Sequence, residues 1–278
     1  WMKEQKHPVI TYAHQLEGHA EAPLNFFIDE QFSNFKFVGG AVAESNIRSA
    51  GNKVLPSFFP LGLFIFKASG IHSRLIDYKP KKTKVILYLV ATYPKTNFLM
   101  GSYRLLAKEL VSRHRRLLAE FQRTLLTDDI HLIIRAHSAH KNSFSELHSR
   151  SIDSSEQISL SDNKLLRSDI DNADIILCDA PSTSFGEALC SLKPVFTFHN
   201  NWQFYPKSKS LLDGAGVLLD SVDSAVLKIK SELTNDITKP AESDIYRERF
   251  IRGHCYNDDT NYHFFVERLI EIEASLSV

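Results

Sequence analysis

From residue 84 to residue 240 the chain alternates short, uniformly apolar segments with longer segments whose apolar residues recur every three or four positions. The first kind of segment predicts strands and the second predicts helices. Strands without polar alternation are typical of a parallel sheet that helices cover on both faces. The predicted strands are Lys84–Thr92, Ile130–His137, Gln157–Asp162, Ala173–Cys178, Pro194–Phe198 and Ala215–Asp220, and the predicted helices are Ser102–Leu126, Lys164–Asn172, Ser184–Ser191 and Asp223–Leu233.

Residues 1–76 carry a weaker version of the same pattern. A basic, proline-bearing stretch at residues 77–83 follows them and predicts a linker. We therefore expect residues 1–76 to form part of a second α/β domain, separate from the domain at residues 84–240. The elements predicted there are strands at Val9–Ala13, Asn34–Gly40 and Asn52–Gly62, with a helix at Ala41–Ala50.

Two other segments are less regular. Residues 241–278 are predicted to form C-terminal helices, with two helices between Ile245 and Ala274 that are broken near Gly253–Thr260. The serine-rich segment Ser143–Ser159 predicts a surface loop or a frayed helix.

Composition narrows the classes of function. The 33 Lys and Arg residues balance the 33 Asp and Glu residues, so no overall field favours nucleic acid, and any anion site must be local. The cysteines Cys178, Cys190 and Cys255 have no metal-ligand spacing and are expected to be buried thiols in a reducing compartment. No apolar run approaches the roughly 20 residues of a membrane helix, and no signal-peptide pattern opens the chain. Because Trp1 precedes Met2, we expect the natural protein to begin further upstream.

Polar side chains gather directly after the predicted strands of residues 84–240. In a parallel α/β sheet these positions share the carboxyl edge, where ligands bind. They are Thr92, Tyr93 and Lys95 after the first strand, Arg135 and His137 after the second, Asp179, Ser182, Thr183 and Ser184 after the fourth with Glu187 one turn later, and His199 and Asn200 after the fifth.

The turn of hydroxyl residues before the helix at Ser184–Ser191 has two interpretations. Free amide groups at a helix start and the hydroxyls of Ser182, Thr183 and Ser184 could hold an anion, and Glu187 could then reach ribose hydroxyls. Alternatively, Ser184 and Glu187 could form a capping box, with Ser184 as the N-cap residue. The spacing alone favours neither.

Arg135 and His137 end a strand, and the same two kinds of explanation apply. Arg135 could neutralise a phosphate and His137 could carry a proton. A strand-end arginine can equally form an ion pair with the protein itself.

The segment from Ala13 to Glu21 places His14, Glu17 and His19 in one predicted loop. Any of the three could serve as a general base for an acceptor hydroxyl, or all three could be solvated. Their spacing fits no metal-ligand pattern, so we expect no metal here.

Two further segments could either bind a ligand or have a purely structural role. Trp202 and Tyr205 could form a sugar platform or anchor a loop. The basic run Ser112–Arg116 is expected to be solvated on the polar face of the long helix, or to meet anionic lipid.

The order of motifs resembles the GT-B-like transferases of bacterial surface-carbohydrate synthesis. That group includes CDP-glycerol glycerophosphotransferases, β-Kdo transferases, and capsule and O-antigen transferases. The matching stretches are "ILYLVATYPK", "LIIRAHS", "LLDGAGVLLDS" and above all "ADIILCDAPSTSFGEALCSLKPVFTF". In the last stretch the family's donor-site pattern appears as Asp179, Ser182, Thr183, Ser184, Glu187, Ala188, Lys193 and Pro194. The early His-Gly turn is matched loosely, because His14 is followed by Gln-Leu-Glu before Gly18.

The resemblance implies a fold and an activity. The fold would be GT-B-like, with a Rossmann-like parallel sheet and helices on both faces, plus part of a second α/β domain that is truncated here. The activity would move a sugar or polyol phosphate from a CMP-, CDP- or UDP-linked donor to a carbohydrate or lipid-linked acceptor, without a metal or other cofactor. The implied location is cytoplasmic, with peripheral association at the inner face of the membrane as an option.

The resemblance also implies roles for the candidate residues. Ser182, Thr183 and Ser184 would cradle the donor phosphate, Arg135 would neutralise it, Glu187 would hold the ribose, and Asp179 and His137 would complete the donor site. His14, Glu17 or His19 would supply the base. Two alternatives stay open: a nucleotide-sugar epimerase of the same fold, and a truncated remnant without activity.

Overall fold

The computed structural model describes residues 10–12, 20, 34–49, 56–60, 62, 83–90, 107–137, 141–191, 193–234, 242–255 and 262–276. Contacts divide the chain into two compact units. The first comprises Trp1–Gly70, Gln203–Ala215 and Glu242–Val278, and the second comprises Ile71–Trp202 and Gly216–Ala241. The predicted domain ran unbroken from residue 84 to residue 240, whereas the contacts group Gln203–Ala215 with the N-terminal residues. The predicted linker lies almost wholly outside the described residues and stays a prediction.

The elements follow one another in this chain order: β1 (Ile10–Tyr12), β2 (Phe35–Val38), α1 (Ala41–Ser49), β3 (Ser57–Pro60), β4 (Lys84–Val90), α2 (Ala107–Thr124), β5 (Ile130–Ala136), α3 (Lys141–Asp153), β6 (Ile158–Leu160), α4 (Leu166–Asn172), β7 (Ile175–Cys178), α5 (Thr183–Leu189), β8 (Val195–Phe198), α6 (Pro206–Gly214), β9 (Leu218–Leu219), α7 (Val222–Thr234), α8 (Glu242–His254) and α9 (Tyr262–Leu276).

The second unit contains a parallel six-stranded sheet in the order β6-β5-β4-β7-β8-β9. The chain starts in the middle at β4, adds β5 and β6 on one side, and then crosses back to place β7, β8 and β9 on the other. This is the Rossmann-like order, with a topological switch point between β4 and β7. The α/β prediction with a parallel sheet is confirmed.

Helices cover both faces of this sheet. On one face, Ile86, Tyr88 and Val90 of β4 pack in a core with Leu117 and Phe121 of α2, which α3 and α7 extend. The alternate residues of β4 point to the other face, where α4 contacts β4 and α5 contacts β7 and β8. Burial on both faces explains why the strands of this sheet are uniformly apolar.

Two helices depart from the sequence prediction. α3 was predicted as a loop or a frayed helix, but Phe144 and His148, one turn apart, are both buried and hold it against the sheet. α6 was not predicted, because only Ser208 and Leu212 of its nine residues are buried and one of these is polar. Pro206 begins α6 at a position where a missing amide hydrogen costs nothing.

The first unit is built around a three-stranded parallel sheet, β1-β2-β3. Phe37 of β2 lies against Phe59 and Phe265, with ring centroids 5.3 and 4.8 Å away, so α9 packs on this sheet. Helix α8 passes so close to the end of β2 that a Cβ on Gly40 would lie 2.5 Å from the carbonyl oxygen of Gly253. The predicted pair of C-terminal helices is confirmed as α8 and α9.

The core against α2 yields a stability prediction. Leu117 is fully buried in α2, so Leu117→Ala should lower the free energy of unfolding by about 2–5 kcal/mol through lost contacts and a cavity. The matched control is Leu227→Ala on α7, where the side chain is 69% exposed and the expected change is within about 0.5 kcal/mol. Urea unfolding followed by circular dichroism measures both, and equal losses would contradict the packing described.

Candidate functional site

The carboxyl edge of the six-stranded sheet gathers the described candidate residues. Asp179 follows β7 directly, and Asn200 lies two residues beyond the end of β8. His137 follows β5 and is exposed. Because the strands are parallel, these residues share the edge at which ligands bind, and Asp179 lies at the switch point beside β4.

The turn between β7 and α5 differs from the capping-box interpretation. Helix α5 begins at Thr183 with Ser182 as its N-cap residue, so Ser184 is the second helical residue and Glu187 the fifth. The Ser182 amide donates to the Ala180 carbonyl over 2.8 Å, which tightens the turn and starts the helix early. The predicted capping box of Ser184 and Glu187 is therefore wrong.

One face of α5 is polar and partly exposed. Thr183, Ser184 and Glu187 form it, since residues three and four apart lie on one side of a helix, while the other residues of α5 are buried. The Glu187 carboxylate makes no hydrogen bond or ion pair with the part of the chain that the structure describes. Burial raises the pKa of Glu187, and the charge of Arg135 partly opposes this rise. A half-buried carboxylate without a protein donor retains its capacity to accept hydrogen bonds from a ligand.

Arg135 has a protein partner. Its guanidinium forms an ion pair with the buried carboxylate of Asp169 and donates to the carbonyl oxygens of Asn163 (2.9 Å) and Lys164 (3.2 Å). Asp169 also accepts hydrogen bonds from the Ser161 hydroxyl, at 2.7 and 2.8 Å. Arg135 thus fixes the segment before α4, and its predicted phosphate contact stays a prediction.

Asp179 is buried and fully occupied by protein groups. One carboxylate oxygen accepts hydrogen bonds from the Tyr88 hydroxyl (2.8 Å) and from Arg113, and the other meets His114 Nε2 at 2.7 Å. Its amide donates to the Leu89 carbonyl over 2.9 Å. Burial by itself raises the pKa of Asp179, but His114 and Arg113, together with the Tyr88 hydrogen bond, hold it well below the usual range. The carboxylate therefore stays ionised, and any effect on a ligand would be indirect.

The basic run Ser112–Arg116 contributes more than surface charge. His114 is fully buried beside Asp179, and the Arg113 side chain is only 13% exposed. The expectation that the whole run is solvated is wrong, because α2 carries Arg113 and His114 to the carboxyl edge. Arg115 and Arg116 remain exposed. The adjacent basic residues Arg113 and His114 in an amphipathic helix were the available signal, but the Asp179 partner of His114 lies 65 residues away in sequence.

The remaining candidates divide between described and undescribed residues. The proposed catalytic residues His14, Glu17 and His19 lie outside the described residues, as do Thr92, Tyr93 and Lys95. Trp202 is 7% exposed, which favours the loop-anchor alternative for its ring, and Tyr205 is partly exposed. Among the described residues, no group of His, Cys, Asp and Glu could hold a metal ion, and no described helix has the length and apolar character to cross a bilayer.

No protein-family model and no curated protein matches the sequence. A mutant of TarM from S. aureus, solved with fondaparinux, α-GlcNAc-glycerol and UDP, is similar in structure with a TM-score of 0.55 at 13% identity, covering 96% of this chain and 50% of TarM. HepE from Anabaena, solved with UDP and glucose, has a TM-score of 0.55 at 10% identity, covering 97% and 72%. The S. aureus epimerase MnaA, solved with UDP, has a TM-score of 0.54 at 16% identity, covering 97% and 68%. The chain thus spans about half the length of TarM, and it has a GT-B-like fold.

The charge balance around Asp179 predicts a large effect of neutralising it. Asp179→Asn would leave the Arg113 guanidinium without its counter-charge, and breaking a buried pair costs about 3–5 kcal/mol. The control is Asp223→Asn, whose carboxylate is 65% exposed and pairs with exposed Arg116, so a change under about 1 kcal/mol is expected. Urea unfolding compares the two variants, and a stable Asp179→Asn protein would refute the described network.

His148 predicts the pH dependence of stability. Burial, followed by the charges of His114 and Arg115, lowers the pKa of His148 from 6.5 to about 4. Between pH 6.5 and pH 4 the unfolded chain therefore binds a proton at His148 that the folded protein does not bind. The free energy of unfolding is unaffected by His148 above pH 6.5. It falls as the pH drops towards 4, by up to about 1.4 kcal/mol per pH unit.

Urea unfolding at pH 7, 6 and 5 should show this fall for the wild-type protein. His148→Gln cannot titrate and should show a shallower fall, whatever its absolute stability. His263→Gln is the control, because the His263 side chain is 86% exposed and its removal should leave the wild-type slope. An unchanged slope in His148→Gln would contradict the assignment.

Proposed function

We propose that this chain is a nucleotide-sugar-dependent transferase that moves a sugar or polyol phosphate onto a surface-polysaccharide acceptor. The GT-B-like fold supports this proposal, as do the UDP molecules bound to the similar proteins TarM, HepE and MnaA. The motif that resembles the donor site of surface-carbohydrate transferases lies at the carboxyl edge of the sheet, where this fold class binds ligands.

The observation that carries the proposal is the Glu187 carboxylate. It is half-buried, lacks a donor among the described residues, and shares a helix face with Thr183 and Ser184. A ribose offers two hydroxyl donors that would satisfy the carboxylate, whereas a phosphate beside it would be repelled. The phosphates would instead meet the hydroxyls of Ser182, Thr183 and Ser184 at the start of α5, where the helix dipole favours an anion.

The proposed reaction is a displacement in which the nucleotide leaves. An acceptor hydroxyl attacks the sugar carbon, or phosphorus in a polyol-phosphate donor, as its bond to the nucleotide breaks. A base takes the acceptor proton, and His14, Glu17 and His19 stay the proposed sources of that base. Hydroxyl and amide donors would stabilise the charge that develops on the departing phosphate, and one such donor is typically worth about 3 kcal/mol.

We place the reaction in the cytoplasm, on a carbohydrate or a lipid-linked acceptor at the inner face of the membrane. Because Arg113 and His114 point into the protein network, only Arg115 and Arg116 of the basic run would be available to anionic lipid, and Arg116 already pairs with Asp223.

A second candidate is a nucleotide-sugar epimerase, which the similarity to the epimerase MnaA favours. The two reactions differ in their need for an acceptor. An epimerase converts a UDP-sugar without a second substrate, whereas a transferase needs an acceptor to which it moves the sugar as the nucleotide leaves. Incubation with UDP-sugars alone, followed by chromatography of the sugar, separates these candidates.

The test of the donor site measures ribose recognition. Calorimetry with UDP, CDP and CMP identifies the nucleotide that binds the wild-type protein, and its 2′-deoxy form should bind more weakly. Glu187→Ala should weaken binding of the ribonucleotide about tenfold or more and abolish the discrimination against the deoxy form, because hydrogen bonds to a charged group are lost.

The control for this test is Glu156→Gln, at an exposed position, which should bind like the wild-type protein. Two outcomes would refute the proposal. One is that the wild-type protein binds none of the three nucleotides, and the other is that Glu187→Ala still prefers the ribonucleotide over its 2′-deoxy form as strongly as the wild-type protein does.

A further inference from the structure

The guanidinium of Arg113 joins the turns that follow β7 and β8. One terminal nitrogen donates to the side-chain oxygen of Asn200, and the other donates to the carboxylate and, over 3.2 Å, to the carbonyl oxygen of Asp179. The amide nitrogen of Asn200 closes the triangle by donating to the same Asp179 carbonyl. We call Arg113, Asp179 and Asn200 the Arg113 clamp.

The clamp holds groups in conformations that are unfavourable on their own. Asn200 and Asn201 have φ angles of 52° and 57°, in the left-handed region that residues with a Cβ seldom occupy. The guanidinium of Arg113 lies over the ring of Phe198, 4.4 Å from its centroid, and has largely left the solvent. An arginine side chain that is only 13% exposed and bonded to a turn with two positive φ angles indicates that the position of this turn is specified closely.

The turn that the clamp fixes leads directly into the candidate donor site. The Asp179 carbonyl, held by Arg113 and Asn200, stands three residues before Ser182, the N-cap residue of α5. The Asp179 amide and carboxylate are held from β4 and α2. The hydroxyls of Ser182 and Ser184 therefore follow a residue whose polar atoms are all anchored.

We infer that Arg113 is a positioning residue of the donor site, which fixes the turn Asp179–Ser182 so that Ser182, Thr183, Ser184 and Glu187 receive a nucleotide in one orientation. This inference rests on the proposed function. Arg113 acts through Asp179 and Asn200, because both of its terminal nitrogens donate to those residues.

The first measurement needs no ligand. Hydrogen–deuterium exchange of residues 178–189 should be at least about fivefold faster in Arg113→Met than in the wild-type protein, because the turn loses its link to β8. Arg116→Met is the matched control on the same helix, since Arg116 makes only an exposed ion pair, and its exchange should equal that of the wild type. If Arg113→Met does not fold, Arg113→Lys serves instead, because it keeps the charge but cannot donate to both residues in parallel. Unchanged exchange would overturn the inference.

The second measurement tests the link to the donor. Using whichever of UDP, CDP and CMP binds the wild-type protein most tightly, Arg113→Met and Asn200→Gly should each weaken binding about tenfold, and the double variant should be no weaker than either alone. Glycine is chosen at Asn200 because it accepts the positive φ, so that only the side-chain hydrogen bonds are lost. Asn201→Gly is its control and should bind like the wild type.

A destabilised variant distinguishes positioning by Arg113 from a general loss of stability. Leu117→Ala should lower stability but removes no hydrogen bond of the clamp, so its nucleotide affinity should stay within about twofold of the wild type. Equal weakening in Leu117→Ala, or full affinity in Arg113→Lys, would overturn the positioning role. If the wild-type protein binds none of the three nucleotides, the proposed function fails and the donor part of the inference fails with it, while the exchange experiment still decides whether Arg113 orders the turn.

Discussion

The structure of the second unit depends on one buried negative charge. Asp179 lies at the switch point of the sheet without access to water, and it remains ionised because Arg113 and His114 are buried beside it and Tyr88 donates to it. A charge in that position would be costly alone, and the Arg113 guanidinium would be costly without it. Asp179, Arg113, His114 and Tyr88 therefore form one buried network. It connects the middle strand, the long helix α2 and the turn after β7, at the edge where a ligand would bind.

The polar residues at the carboxyl edge fall into two groups, those bonded to other protein groups and those that stay partly exposed. Asp179 and Arg135 are both engaged by the protein, one by α2 and the other by Asp169. On α5, the side chains that stay partly exposed are those of Thr183, Ser184 and Glu187. Hydroxyls and amides can hold a phosphate without a formal counter-charge, and a carboxylate one turn further along can hold a sugar hydroxyl. A nucleotide diphosphate offers both kinds of group, and in that order.

The comparisons and the site contribute different things to the proposed function. Solved structures at 10–16% identity show the fold, which many activities share. The proposed chemistry rests on Glu187 and its neighbours on α5, because a half-buried carboxylate without a donor among the described residues can accept hydrogen bonds from a ligand. The Arg113 clamp adds a physical reason why these neighbours would be held in place before a ligand arrives.

The sequence by itself determined the parallel sheet, most of its helices and the turn that bears the hydroxyl residues. Those features follow from local periodicity and from uniformly apolar strands, which depend on residues close together along the chain. It did not determine the helical start at Thr183, the helix at Pro206–Gly214 or the roles of Arg113 and His114. Only the tertiary structure decided these, because the partners of Asp179 lie 65, 66 and 91 residues away in sequence. Whether a charged side chain is solvated or buried depends on which opposite charge the fold brings beside it, and no local pattern contains that information.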